Sequence, residues 1–405
     1  MGETRDTLES EFGVRSVGTA VVDEREIPVV FATSEADIVA ALVLASSRNW
    51  RVLPIGSGTK LEHGPPREKP KFAISLRGFS GVTSYERGDG TITARAGSTM
   101  AALSEIARSG GNHLTPDVSM AKHATLGGTI ASGLSGLDRL RYGPVRNHVL
   151  GVRVALGDGT VVKSGGRLVK NVTGFDVHRL VTGSRGSLCV VLEASLRLFP
   201  LPVHEIVLET AYFGRDSALS AARAIIASAL RPVCVAVSGS NGTRWSLVVG
   251  LAGRRDVLAV EVEHALRLVG DATRFDGLES RVRIDALRVL EGESTLSATF
   301  VSSVLPSVLA TIDSLAPLAR IVIHPGVTAV HVAIDAAVIV DVACSILAAG
   351  ASVEIANVPV ATRSAFDPLE HVPATARDLM RRLKFALDPA QRFVTARPPE
   401  VVRRG

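Results

Sequence analysis

Cysteine is scarce: Cys189, Cys234 and Cys344 are the only three in 405 residues. They lie far apart with no CxxC pair, which excludes a disulfide framework and a zinc knuckle. They also fall short of the four thiolates that an iron–sulfur cluster takes. Aromatic residues make up 4% of the chain. No block of Lys and Arg is interleaved with them, so nucleic acid is a poor partner. The charge balance is mild, 45 basic against 40 acidic residues, and dispersed. No uninterrupted apolar run reaches the roughly 18 residues of a spanning helix. The longest candidate, "VAIDAAVIVDVACSILAAG", is broken by Asp335 and Asp341 and reads as a packed helix. The opening "MGETRDTLESEFG" is polar and charged, unlike a secretory signal. The expectation is a cytoplasmic protein, at most peripheral at the inner face of the membrane.

What the chain does have is enough apolar residues, 46%, to fold as a globular protein, and too much length for one ordinary core, so two domains are expected. In the first half, Ser34 stands where an N-cap would precede "EADIVAALVLASS". "WRVLPI" and "TITARA" read as strands, with a helix in "STMAALSEIARSGG" that stops at Gly110-Gly111. "VLGVRVALGDGTVVKSGG" reads as a hairpin around Gly157-Asp158-Gly159. "PLP" at 200–202 marks a boundary. Beyond it, amphipathic helices alternate with strand-like pieces, and "FALDPAQRFVTARPP" reads as a tail without helical period that crosses back to the first domain.

Glycine is concentrated at three places. "PIGSGTKLEHG" follows a strand and offers Gly56 and Gly58. The glycines are one residue apart, which fails the phosphate loop with four residues between its glycines. Leu61 stands where a GxGxxG fingerprint needs its third glycine. Two readings remain: a nest of consecutive amides for an anion, with Thr59 adding a hydroxyl, or an ordinary glycine-rich turn. "TPDVSMAKHATLGGTIASGLSG" adds Gly127, Gly128, Thr129, Ala131, Ser132 and Gly133, which make either a backbone wall for an extended ligand or a tightly packed helix start. "TGSRGSLCVVLEASLRL" adds Gly183, Gly186 and Ser187. Three such sites fit one large cofactor spanning several loops.

Taken in order, "PIGSGTKL", "PDVSMAKHATLGGTIASGLSG", "RYGPVRNHVLGVRVALGDGTVV", "GGRLVKNVTGFD" and "TGSRGSLCVVLEASLRL" resemble the FAD-binding (PCMH-type) domain of the vanillyl-alcohol-oxidase class of flavoproteins. Within that class they are similar to the FAD-binding subunits of bacterial glycolate oxidases. The resemblance covers residues 23–203. It implies an α+β fold in which two α+β subdomains clasp FAD, followed by an α/β cap domain. The expected division is an extension at 1–22, the FAD-binding domain at 23–203, a cap at 204–384 and a tail at 385–405 that returns to the FAD domain.

It further implies non-covalent FAD, with the first pyrophosphate loop at Pro54, Ile55, Gly56, Ser57, Gly58 and Thr59. Asp117, Thr125, Leu126, Gly127, Gly128, Ser132 and Gly133 match the second loop. Arg185 to Val191 match the segment at the adenine side and flavin edge, with Gly186 and Val191 as contacts. Arg185 replaces a Glu and Cys189 a Gly of many relatives, and Phe393 and Arg397 keep two positions of the relatives' C-terminal motif.

Oxidising a 2-hydroxy acid needs a base, a cation for the carboxylate and a hydride acceptor. "HPGVTAVH" places His324, Gly326 and His331 at the offsets of a metal-binding "HxGDGNxH" stretch of the family's catalytic subunits. Val327, Thr328 and Ala329 replace its Asp-Gly-Asn, so no metal is expected. His324, His331 and Arg397 are the catalytic candidates, set against two unrelated part-buried histidines and a solvated tail arginine. Lys170, Asp176 and His178 read as loop-bracing residues. The resemblance implies a subunit that works with a second FAD subunit and an iron–sulfur subunit on a 2-hydroxy acid. A stand-alone FAD-linked oxidoreductase and a non-catalytic assembly subunit are the alternatives.

Overall fold

The computed structural model describes residues 2–166, 176–288 and 293–396. Arg397, Lys170 and most of "GGRLVKNVTGFD" lie outside the described residues.

The chain opens with a helix, Gly2–Phe12, whose Leu8 is fully buried. Four strands follow: β1 (Val17–Val22), β2 (Arg25–Phe31), β3 (Val52–Ile55) and β4 (Phe72–Ser75). They form a sheet in the order β1-β2-β4-β3, with β4 parallel to both β2 and β3. The crossover between β2 and β3 is the helix Glu35–Ser47. It starts where Ser34 accepts from the Asp37 amide and Asp37 reaches back to the Ser34 amide, a reciprocal cap. Ile38, Ala41, Leu42 and Ala45 recur at helical spacing and are buried.

A second sheet follows from β5 (Val82–Glu86), β6 (Thr91–Arg95), β7 (Asn112–His113), β8 (Val149–Ala155), β9 (Val161–Gly165) and β10 (Val190–Arg197). Its order is β5-β6-β10-β8-β9, while β7 pairs apart from it with β11 (Phe199–Pro200). The β8–β9 hairpin turns at Gly159, which sits at φ 88°. Apolar side chains from both sheets and their helices share one core, including Phe72, Ile92, Leu103, Leu126, Leu192 and Phe393.

The remaining strands are β12 (His204–Tyr212), β13 (Cys234–Gly239), β14 (Trp245–Gly253), β15 (Thr273–Asp276), β16 (Thr295–Thr299), β17 (Arg320–His324), β18 (Ala329–Ala333) and β19 (Ser352–Ala356). They make one antiparallel sheet, ordered β15-β12-β14-β13-β17-β18-β16-β19. Helices Arg215–Ala227, Arg255–Val269, Leu305–Leu315 and Ile339–Ala348 cover one face and bury the larger second core. The other face looks toward the first two sheets.

Two sequence expectations change here. "VAIDAAVIVDVACSILAAG" is a strand followed by a helix, split at Asp335, whose carboxylate accepts from the Ala337 amide and closes the turn. "FAL" ends a helix, Ala374–Leu387. The chain then returns: the Val52 amide donates to Arg392 O at 2.7 Å, and Val394 donates to Val52 O at 3.1 Å, placing the tail beside β3. Among the described residues no helix is long and apolar enough to cross a membrane.

Candidate cofactor and substrate cleft

A strand sends alternate side chains to opposite faces. In the cap sheet that alternation is strict where it matters. Ile321, Ile323, Val330, Val332, Leu296, Ala298, Val353 and Ile355 enter the helix-covered core. Their neighbours His324, His331, Ser297 and Glu354 line the opposite face. The register sets Ser297 beside both His331 and Glu354, so a polar row crosses three strands. Between this face and the glycine stretches lies a cleft of about 970 Å³, lined by Gly58, Thr59, Gly128, Ser132, Gly133 and the polar row. A recess of about 80 Å³ continues from it beneath residues 53–61.

The recess is built by β3 and the loop that leaves it. A Cβ on Gly56 would come within 2.1 Å of Thr125 Oγ1, so only glycine lets the two loops meet. Gly58 sits at φ 80°. Among the described residues, the amides of Ser57, Gly58 and Thr59 donate to no protein acceptor. Consecutive free amides in a glycine turn are a cradle for an anion. Arg185 and Arg67 also line the recess, facing one carboxylate, Glu354. Arg185, at φ 54°, donates to His63 O at 3.0 Å and to Glu354 Oε2 at 2.7 Å. These residues fit a diphosphate: amides to hold its oxygens and an excess of cations to balance its charge.

The structure sorts the sequence-derived residues. Pro54, Ile55, Gly56, Ser57, Gly58, Thr59, Thr125, Gly128 and Ser132 border the recess, and Gly133 the cleft. Leu126 and Gly127 do not line either. Their amides donate to Ser98 O and Ala96 O, both at 2.8 Å, and Leu126 is buried. Asp117 faces away, into a charged recess where it pairs with Arg288 and accepts from the Leu137 amide at 3.2 Å. Burial, then the Asp138 charge, push its carboxyl up against the pull of Arg288. Gly186 packs near Pro54, and Val191 is buried in β10 opposite Val154. Burial pushes the Cys189 thiol up to about 12, so that side chain is unreactive packing. Asp176 pairs with Arg179, and His178 is buried away from the cleft.

His324 and His331 come together, with ring centroids 5.4 Å apart. The Ser297 hydroxyl lies 2.8 Å from His331 Nδ1. The Val235 carbonyl accepts from the His324 ring, and His324 Nε2 is buried without a partner. Nε2 is therefore open to a partner from outside the chain. Burial first, and His331 second, lower His324 to about 3. Burial lowers His331 to about 4, with Arg139 adding to the shift and Glu354 opposing it. Both rings are therefore neutral at pH 7.

Sequence reasoning missed Arg67, Arg139 and Glu354. None belongs to a motif. Glu354 carried one signal, the alternation of "SVEIA", but only the register of β19 against β16 shows what it faces.

A glycine-turn anion cradle opening into a cleft beneath an antiparallel cap sheet has the form of a site for a large anionic cofactor. Comparison with known proteins identifies the domain: residues 28–165 match the FAD binding domain model, and the chain carries that FAD-binding domain. The glycolate oxidase subunit GlcD of Bacillus subtilis is 30% identical over 204 residues, 50% of this chain and 43% of that one. The glycolate oxidase subunit GlcE of Escherichia coli is 36% identical over 130 residues, 32% of this chain and 37% of that one. The D-lactate dehydrogenase of Archaeoglobus fulgidus is 27% identical over 307 residues, covering 72% of this chain and 67% of that one. The match to the GlcD subunit thus spans less than half of its length. A solved structure of alkyldihydroxyacetonephosphate synthase aligns with a TM-score of 0.70 at 13% identity, over 96% of this chain and 84% of that one, and shares the fold.

Proposed function

We propose that the chain is the FAD-binding subunit of a 2-hydroxy acid dehydrogenase of the glycolate oxidase type. The observation that carries this reading is the unpartnered, buried Nε2 of His324 in the cleft that opens from the anion cradle. Bound FAD supplies the hydride acceptor. Ser57, Gly58 and Thr59 hold its diphosphate with their amides, and Arg185 and Arg67 balance the charge. His324 accepts the hydroxyl proton at Nε2. His331 and Ser297 hold each other beside it, and the apolar walls, Val235 and Leu140, keep water from the reacting carbon.

Electrons leave through partners. Two curated relatives are named as glycolate oxidase subunits, and two of this chain's three cysteines are buried, so it is poorly equipped to bind a cluster itself. A second flavin subunit and an iron–sulfur subunit, meeting at the inner face of the membrane, complete the proposed complex. Anaerobic titration of the purified chain with glycolate and D-lactate tests the reading: bleaching of the flavin band supports it, and an unchanged spectrum, alone and with partners, contradicts it.

A further inference from the structure

The cleft has several cations, and nearly all are committed. Arg363 pairs with Asp23 at 2.9 Å, and Arg288 with Asp117 and Asp285. Lys60 donates to the Ser119 hydroxyl at 2.7 Å. Arg139 also lines the cleft, and among the described residues it has no carboxylate partner. It shares that cleft with the histidine pair, and its charge adds to the lowering of His331.

The position of Arg139 is held from both sides. It opens the short helix Arg139–Tyr142. Arg141 donates to Ala252 O at 2.6 Å on β14. Leu140 packs so closely on the turn between β17 and β18 that a Cβ on Gly326 would lie 2.6 Å from Leu140 Cδ1. That turn carries His324 at its start and leads to His331. The segment bearing Arg139 is therefore keyed to the same hairpin as the two histidines, although it belongs to the FAD-binding lobe. A guanidinium kept in a partly buried cleft without a counter-ion is suited to an anion from outside, and its planar fork matches a carboxylate.

We propose that Arg139 is the residue that takes the substrate's carboxylate, making the cleft selective for 2-hydroxy acid anions over neutral alcohols. The proposal rests on the reading of the cleft as a hydroxy acid site. With the carboxylate on Arg139, the adjacent hydroxyl is directed toward the histidine pair, and the acid's charge is neutralised inside the cleft.

The test uses FAD-loaded full-length protein with Arg139→Gln and Arg139→Lys. Oxalate, an inert two-carboxylate probe, is titrated by calorimetry, and D-lactate by anaerobic flavin reduction. Loss of a charge-assisted contact raises the oxalate Kd and the half-saturating D-lactate concentration about 10- to 100-fold in Arg139→Gln, and the limiting reduction rate falls as the hydroxyl loses its orientation. Arg139→Lys recovers part of the oxalate affinity, and flavin content reports that both variants fold. Oxalate affinity in Arg139→Gln within about twofold of the parent, or no oxalate binding by the parent, overturns the assignment. If oxalate binding depends on Arg139 but no 2-hydroxy acid bleaches the flavin, the anion site stands and the proposed function fails.

Discussion

At the residue scale the account turns on His324. Its Nε2 has no partner in the protein, and the ring is neutral because it is buried. Replacing it with Gln keeps a similar shape and a donor for Val235 but removes the base. His324→Gln is expected to lower the flavin reduction rate about 10²- to 10⁴-fold while FAD stays bound; stopped-flow reduction alongside the flavin spectrum checks both parts. Because the folded histidines titrate near 3 and 4, the rate profile lacks an acid limb near 6.5. The same shifts affect stability. The unfolded chain binds these two protons below about 6.5, the folded chain only near 3 to 4, so folding weakens as pH falls through that window and is unaffected above it. Denaturant midpoints at pH 7 and pH 5 measure the slope. His331→Gln is expected to flatten it, and an equal slope in that variant would count against a neutral His331 in the fold.

At the scale of elements, the returning tail is the part with the clearest consequence. Phe393 is buried in the first core, and its amide donates to Asp388 Oδ2 at 2.9 Å. Asp388 also accepts from the Arg392 amide at 2.8 Å, so one carboxylate folds the turn that brings the tail to β3. Phe393→Ala is expected to cost about 3–5 kcal/mol by leaving a cavity, read as a lower denaturation midpoint and weaker FAD retention. Local elements with a backbone reason were legible in the sequence: the Ser34 cap, the Gly159 hairpin and the stop at Gly110-Gly111 all follow from residue chemistry at short range. "VAIDAAVIVDVACSILAAG" was misread because a buried strand and a buried helix are both continuously apolar, and only the turn at Asp335 divides them. Leu126 and Gly127 look like cradle residues in the sequence, but their amides are already taken by Ser98 and Ala96, a long-range fact with no local sign. Arg139, Arg67 and Glu354 were illegible for the same reason, since their roles exist only once two lobes face each other.

For the whole molecule, the cleft exists because the lobes are fastened at its rim. Asp23 accepts from the Arg363 guanidinium at 2.9 Å and from the Arg67 amide at 2.8 Å, deep in the seam. The Gly64 amide donates to Ile355 O at 2.9 Å, and Glu354 joins His63 and Arg185. Removing one partner of a buried pair leaves a charge stranded, at about 3–5 kcal/mol. Asp23→Ala is therefore expected to lower the melting temperature sharply and to weaken FAD binding, even though Asp23 is distant from the amide cradle in sequence. Added FAD should raise the melting temperature of the parent protein by mass action. The central claim is that Ser57, Gly58 and Thr59 form an amide cradle for the cofactor's diphosphate beneath a substrate cleft. The most direct measurement is the absorbance spectrum of the purified full-length chain, apo protein reloaded with FAD, followed on anaerobic addition of D-lactate and glycolate. The account predicts a stoichiometric flavin spectrum that bleaches with a 2-hydroxy acid. A well-folded chain that stays colourless in excess FAD would contradict it.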